Sequence, residues 1–139
     1  MFDSINKESL DKLVDVFYDK AKEDKDLGVV FNAQITSEAK WARHKAVVSS
    51  FWLYHLTGIH DESAPKKHEG GMVGAHLALP PFPREFFKQW LALFEESLNE
   101  LFTPQIKDEI LAKAKDMAGK LQGVLYEGKE WGHPPKEHA

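Results

Sequence analysis

Seven histidines and no cysteine set the chemistry open to this chain. Without thiols there is no disulfide, thiolate catalyst, cysteine zinc site or cysteine-held iron–sulfur cluster, and a metal would need His, Asp, Glu or Tyr as ligands. One histidine is singled out by its surroundings. In GAHLALPPFPREFFKQW, Gly74 to Trp90, His76 lies between Ala75 and Leu77, and Pro80-Pro81 just beyond it removes two backbone donors and fixes their φ angles. An imidazole in such stiff, apolar company is either a packed side chain with one hydrogen bond or a metal ligand, and the residues alone leave both open. A protein-only zinc cage is not indicated, because no HExxH-like group of ligands occurs at short spacing. A single axial imidazole suffices where a porphyrin supplies four other donors, given a slot walled by aromatic and aliphatic side chains.

The chain has the material for such walls. Its 139 residues, 42% apolar and 12% aromatic, fit one domain with a sizeable core. The net charge of −4 arises from interspersed charges of both signs, so no basic stripe offers itself to nucleic acid. The start, MFDSINKESL, is polar, and no apolar run approaches the roughly 18 residues of a membrane span, so no membrane partner and a cytoplasmic location are expected.

Periodicity predicts an all-helical chain. Leu10, Leu13, Val14, Phe17 and Ala21 follow helical spacing after a capping segment Asn6-Lys7-Glu8-Ser9, and this helix is expected to end near Gly28. Thr36 or Ser37 caps a second helix with Trp41, His44, Val48, Phe51, Trp52 and His55 on its buried face, stopped by Gly58. A third starts at Pro83 and carries Phe86, Phe87, Trp90, Leu91, Phe94, Leu98 and Leu101. Thr103-Pro104 opens the last, with Ile106, Ile110, Ala114, Met117, Leu121 and Leu125 inward. Ile59 to Pro83 is expected to be irregular, and longer than a routine connection. One domain is expected over residues 1–128, followed by a flexible tail over 129–139.

The run from His76 to Phe102, HLALPPFPREFFKQWLALFEESLNELF, resembles the proximal region of group III truncated haemoglobins, bacterial globins folded as a two-over-two helical sandwich around haem. VFYDKAKEDKDLGVVFN, Val16 to Asn32, and WARHKAVVSSFW, Trp41 to Trp52, resemble that family's first long helix and its distal helix, so the likeness spans Ile5 to Tyr126. It implies haem b (iron protoporphyrin IX) with His76 on the iron through one ring nitrogen and the other bonded to a backbone carbonyl. It places Tyr18 and Trp90 as distal hydrogen-bond donors, His44 at the distal histidine position as a gate, and Phe31 and Val48 against the haem. Phe86, Phe87 and Phe94 would add apolar walls, and Lys66, Lys67 and Arg84 would partner the haem propionates.

Read without the resemblance, Tyr18 is a boundary residue one place off its stripe, Trp90 a core tryptophan, and His44 a core-edge histidine. His55, His60 and His68 read as ordinary surface histidines. The likeness further implies oxygen, nitric oxide and carbon monoxide as ligands, with an unidentified reductase as partner in nitric oxide or peroxide detoxification. Two other readings stand beside it: a sensor, scavenger or buffer of oxygen and nitric oxide without turnover, and a haem-free helical module in which His76 is dispensable for binding.

Overall fold

A computed structural model describes residues 1–66 and 70–127. The tail expected over 129–139, together with Lys67 and His68, lies outside the described residues. Six helices make up the fold: α1 Lys7–Glu23, α2 Leu27–Gln34, α3 Glu38–Thr57, α4 Gly71–Leu77, α5 Phe86–Leu101 and α6 Pro104–Glu127.

α1 opens on a capping box in which the Asn6 side chain accepts from the Ser9 amide and the Ser9 hydroxyl accepts from the Asn6 amide. Its expected stripe is the buried one, with Leu10, Leu13, Val14, Phe17 and Ala21 all inward. The helix ends earlier than expected, at Glu23, where the Asp24 carboxylate accepts from the amides of Asp26 and Leu27 and starts α2. Gly28 is needed at this elbow: a Cβ there would lie 2.5 Å from the Lys22 carbonyl oxygen, so only glycine lets α2 cross so close to α1.

α3 begins at Ser37, whose hydroxyl accepts from the Lys40 amide, and stops at Gly58 with φ 81°. Its inward face is narrower than its apolar spacing suggests. Ser49, Trp52 and Leu53 are buried, whereas Trp41, His44, Val48 and Phe51 are half-buried and His55 is exposed.

Two expectations around His76 are corrected. Ile59 to Pro83 is not irregular throughout, because α4 forms within it and carries His76 in its last turn. Seven residues span too few turns for a 3.6-residue period to show, and Gly70 and Gly71, at φ 85° and 69°, start the helix where sequence suggests a break. The third helix does not start at Pro83 either; Pro83, Arg84 and Glu85 accept from the amides of Phe86, Phe87 and Lys88 in tight turns before α5 begins.

α1 packs on α3 and on α5, α5 packs on α6, and α2 rests on α1 and α5, giving two helices laid over two. Phe17, Phe94, Leu98, Phe102 and Ile110 form the main core with the α1 stripe. A second cluster of Phe87, Ala118, Leu121 and Leu125 receives Met72, Val73 and Leu77 of α4. The N-terminus is tied to the α5–α6 corner: the Phe2 amide donates to Leu101 O at 2.7 Å and Phe2 O accepts from the Thr103 amide at 2.9 Å.

Leu98 is fully buried where α5 meets the core. Leu98→Ala is expected to lower unfolding free energy by about 2–5 kcal/mol in chemical denaturation, the usual range for a buried leucine replaced by alanine; a loss within experimental error would show that this part of the core is not tightly packed.

Candidate functional site

α4 and α3 are anchored to different partners. α4 lies on α6 through Met72, Val73 and Leu77, while α3 lies on α1. The two are not a packed pair, and each carries a histidine among half-buried apolar side chains.

On α4, His76 Nδ1–H donates to the Met72 carbonyl one turn earlier, at 2.9 Å. The carbonyl can only accept, so the proton sits on Nδ1 and Nε2 keeps its lone pair. Burial holds the His76 imidazole below the usual histidine range, against the opposing pull of that hydrogen bond. A neutral, oriented imidazole with a bare Nε2 is what an axial metal ligand requires.

On α3, His44 Nε2 lies 2.8 Å from the Tyr18 hydroxyl. Burial is the main reason that His44 is held down at about 4, and the charge on a protonated His76 adds to it. Tyr18 is buried, 5% exposed, and burial pushes its phenol above the usual tyrosine range. The boundary position that periodicity suggests for Tyr18 is therefore overturned, because α2 and α3 together cover its ring. With both groups neutral near pH 7, either Tyr18 O–H donates to Nε2 or Nε2–H donates to the phenol oxygen; the second tautomer frees the hydroxyl proton for another acceptor.

Aromatic rings close in on this pair. Phe31 meets Tyr18 edge-on with centroids 5.3 Å apart, and Trp41 meets it at 5.4 Å. Trp90, half-buried on α5, stacks on Phe94 at 4.8 Å and touches Phe17 at 5.3 Å.

The other expected residues fall into distinct places. Val48 is half-buried one turn beyond His44 and packs against the main core. Phe86 is half-buried and stacks on Phe82 at 5.6 Å, and Phe87 is buried in the second cluster beneath α4. Phe94, 2% exposed, is sunk in the main core. Lys66 is exposed, and its carbonyl accepts from Arg43 Nη2 at 2.9 Å. Arg84 is engaged with α6, donating to Gln122 Oε1 at 3.0 Å and Glu127 Oε2 at 3.4 Å and lying over the Tyr126 ring.

Two contributors escape sequence reasoning. Met72 holds His76 through its carbonyl, a role set by the four-residue spacing of a helix too short to foresee. Trp41 reads as a stripe residue, but it flanks His44 at 6.0 Å and carries Lys22 Nζ over its ring at 4.8 Å.

The described residues hold no group of three or more His, Asp or Glu placed to grip an ion by themselves. One imidazole nitrogen without a protein partner, on a helix of half-buried apolar residues, fits a flat macrocycle that brings its own donors. No helix among the described residues is long and apolar enough to cross a membrane.

Comparison with known proteins agrees with this geometry. The chain is 45% identical over 133 residues to the group 3 truncated hemoglobin ctb of Campylobacter jejuni, covering 95% of this chain and 98% of that protein. The crystal structure of the group III truncated haemoglobin from Campylobacter jejuni superposes with a TM-score of 0.81 at 44% identity, again covering 95% and 98% of the two chains. No family model matches the sequence.

The unfolded chain takes up a proton at His44 near the ordinary histidine value of 6.5, whereas the folded chain resists it until about 4. Stability contributed by a neutral His44 is therefore complete above pH 6.5 and is lost as pH falls toward 4, a change of about 3 kcal/mol. Urea unfolding of the haem-free protein across this window should show a steeper loss for wild type than for His44→Gln; parallel curves would show that His44 carries no such penalty.

Proposed function

This chain belongs to the group 3 truncated haemoglobins, and from that premise we propose that it binds haem b through His76 Nε2 and reversibly takes up oxygen and nitric oxide. When bound, the haem supplies a ferrous iron with one position open to a diatomic gas. The observations that carry the reading are the part-buried Tyr18–His44 hydrogen bond between α1 and α3 and the His76 imidazole whose Nε2 is kept bare by the Met72 carbonyl.

His76 is the iron ligand, and its bond to Met72 fixes the ring and strengthens its donor nitrogen. Tyr18 O–H and Trp90 N–H are the donors that retain a polarised gas. His44 orients the Tyr18 hydroxyl by donating from Nε2, so that the phenol proton turns toward the ligand rather than toward the imidazole. Half-buried at the edge of the pocket, His44 also acts as its gate. Phe31, Val48, Phe86 and Phe87 exclude water, which strengthens the hydrogen bonds made inside. Phe94 supports Trp90 from the core. Lys66 is the described cation of the loop leading to α4 and a partner for the propionates; Lys67 and Arg84 are the further cations proposed for that role.

Strong retention suits conversion more than carriage. We assign the protein to nitric oxide or peroxide detoxification: nitric oxide, dioxygen and one electron from a reductase balance to nitrate, and peroxide is reduced to water by two electrons and two protons. Turnover with a supplied reductant separates this assignment from a sensor or buffer.

Visible spectra of the haem-loaded protein, ferric, ferrous and with carbon monoxide, are expected to be those of a histidine-ligated globin in wild type and to lose that character in His76→Ala. A spectrum indifferent to His76 would return the chain to the haem-free reading. Tyr18→Phe and Trp90→Phe should each speed oxygen escape by roughly one to two orders of magnitude, the equivalent of one lost hydrogen bond of about 1–3 kcal/mol. Unchanged rates in both variants, measured by stopped-flow displacement, would remove the distal network.

A further inference from the structure

A line of ring contacts runs from the candidate pocket to the surface at the end of α3. Trp90 stacks on Phe94 with centroids 4.8 Å apart and planes 14° from parallel. Phe94 in turn stacks on Trp52 at 5.3 Å and 24°. Trp52 meets Phe51 at 5.4 Å, Phe51 meets His55 at 4.3 Å, and His55 meets Tyr54 at 5.3 Å. Tyr54 is 42% exposed and lies against His60 at 4.6 Å. The middle of the line is dry, Phe94 and Trp52 being 2% and 4% exposed.

Indoles and phenols are the side chains that give up a single electron most readily where no thiol is present, and this chain has no cysteine. Electron exchange between rings in contact is fast, and a dry path keeps the intermediate indoles from reacting with water. A phenol can lose its electron for good only if its proton has somewhere to go. Of the three tyrosines, Tyr18 is buried against His44, and Tyr126 donates its hydroxyl to the Phe82 carbonyl at 2.6 Å. Tyr54 is the one open to solvent.

We propose that the Trp90–Phe94–Trp52 stack carries single oxidising equivalents from the pocket to Tyr54, so that peroxide reduced at the pocket is discharged at a surface phenol instead of in the core. The proposal rests on the peroxide reactivity inferred above. Each Tyr54 loses one electron along the stack and its hydroxyl proton to solvent. Two such phenoxyls on separate molecules join by one new carbon–carbon bond between their rings, and the two ring hydrogens displaced there return to the phenol oxygens. Of the two electrons that turn the peroxide at each pocket into two waters, one is therefore that of the molecule's own Tyr54 and the other comes from the reductase inferred above, with two protons taken from solvent.

The test treats ferric, haem-loaded protein with hydrogen peroxide and follows the haem spectrum, the radical signal by paramagnetic resonance and the oxidised residue by peptide mass spectrometry. Wild type is expected to give a dimer linked through Tyr54 on each chain. Tyr54→Phe should lose that dimer while its haem spectrum responds to peroxide as in wild type. Trp52→Phe, and separately the milder Phe51→Leu, should lose Tyr54 oxidation with the spectral response kept. A spectral response in wild type with oxidation at Tyr18 or Tyr126 instead of Tyr54 overturns the proposal and leaves the proposed function standing, as does undiminished Tyr54 oxidation in both path variants. No spectral response to peroxide overturns the peroxide reading and this inference together.

Discussion

Leu10, Leu13 and Phe17 are covered from two sides, by α3 and by α5, and this packing of α1 holds the long helices in place. Because α3 spends its buried residues on α1 and α4 spends its apolar residues on α6, neither is available to close on the other. His44 on α3 and His76 on α4 are therefore carried by helices anchored to different cores, each among half-buried apolar side chains. Collapse of one helix onto the other would require stripping α4 from Leu121 and Leu125 or α3 from the α1 stripe, each a loss of well-buried apolar area. The separation of the two histidine-bearing helices is a consequence of two separate cores rather than of any one residue.

The two imidazoles are both neutral near pH 7 and yet differ in function. His76 is pinned by its own helix through the Met72 carbonyl, which leaves a lone pair directed away from α4. His44 has instead a partner from another helix, the buried Tyr18 hydroxyl, and can exchange donor and acceptor roles with it. Desolvation is the leading cause of the depressed basicity of both. Burial thus keeps one nitrogen fit for a metal and makes the other a switchable partner for a phenol, using the same side chain twice.

The proline-rich turn after α4 is secured from α6. Tyr126 O–H donates to the Phe82 carbonyl at 2.6 Å, and Arg84 lies over the same ring while donating to Gln122 and Glu127. Pro80, Pro81 and Pro83 supply stiffness, but stiffness alone does not aim a chain; the contacts with α6 do. Arg84 makes its part of this fastening with an amide and a carboxylate acceptor on α6 that lie 38 and 43 residues away in sequence.

Sequence by itself determined the helical class, the buried stripe of α1, a cap at Thr36 or Ser37, the stop at Gly58 and the start at Pro104, because each follows from local spacing or local hydrogen bonding. It also singled out His76, Tyr18, His44 and Trp90, chiefly through the LPPFP, FF and W pattern of a known family. Only the tertiary structure decided that Tyr18 is buried, since the rings covering it come from α2 and α3. It alone decided that α4 exists, since seven residues carry no readable period and its apolar face is defined by what α6 offers. The Tyr18–His44 bond spans 26 residues and the Arg84–Gln122 bond 38. Such pairings are absent from any local pattern, because they form only where separately folded helices are brought face to face by the burial of their apolar sides.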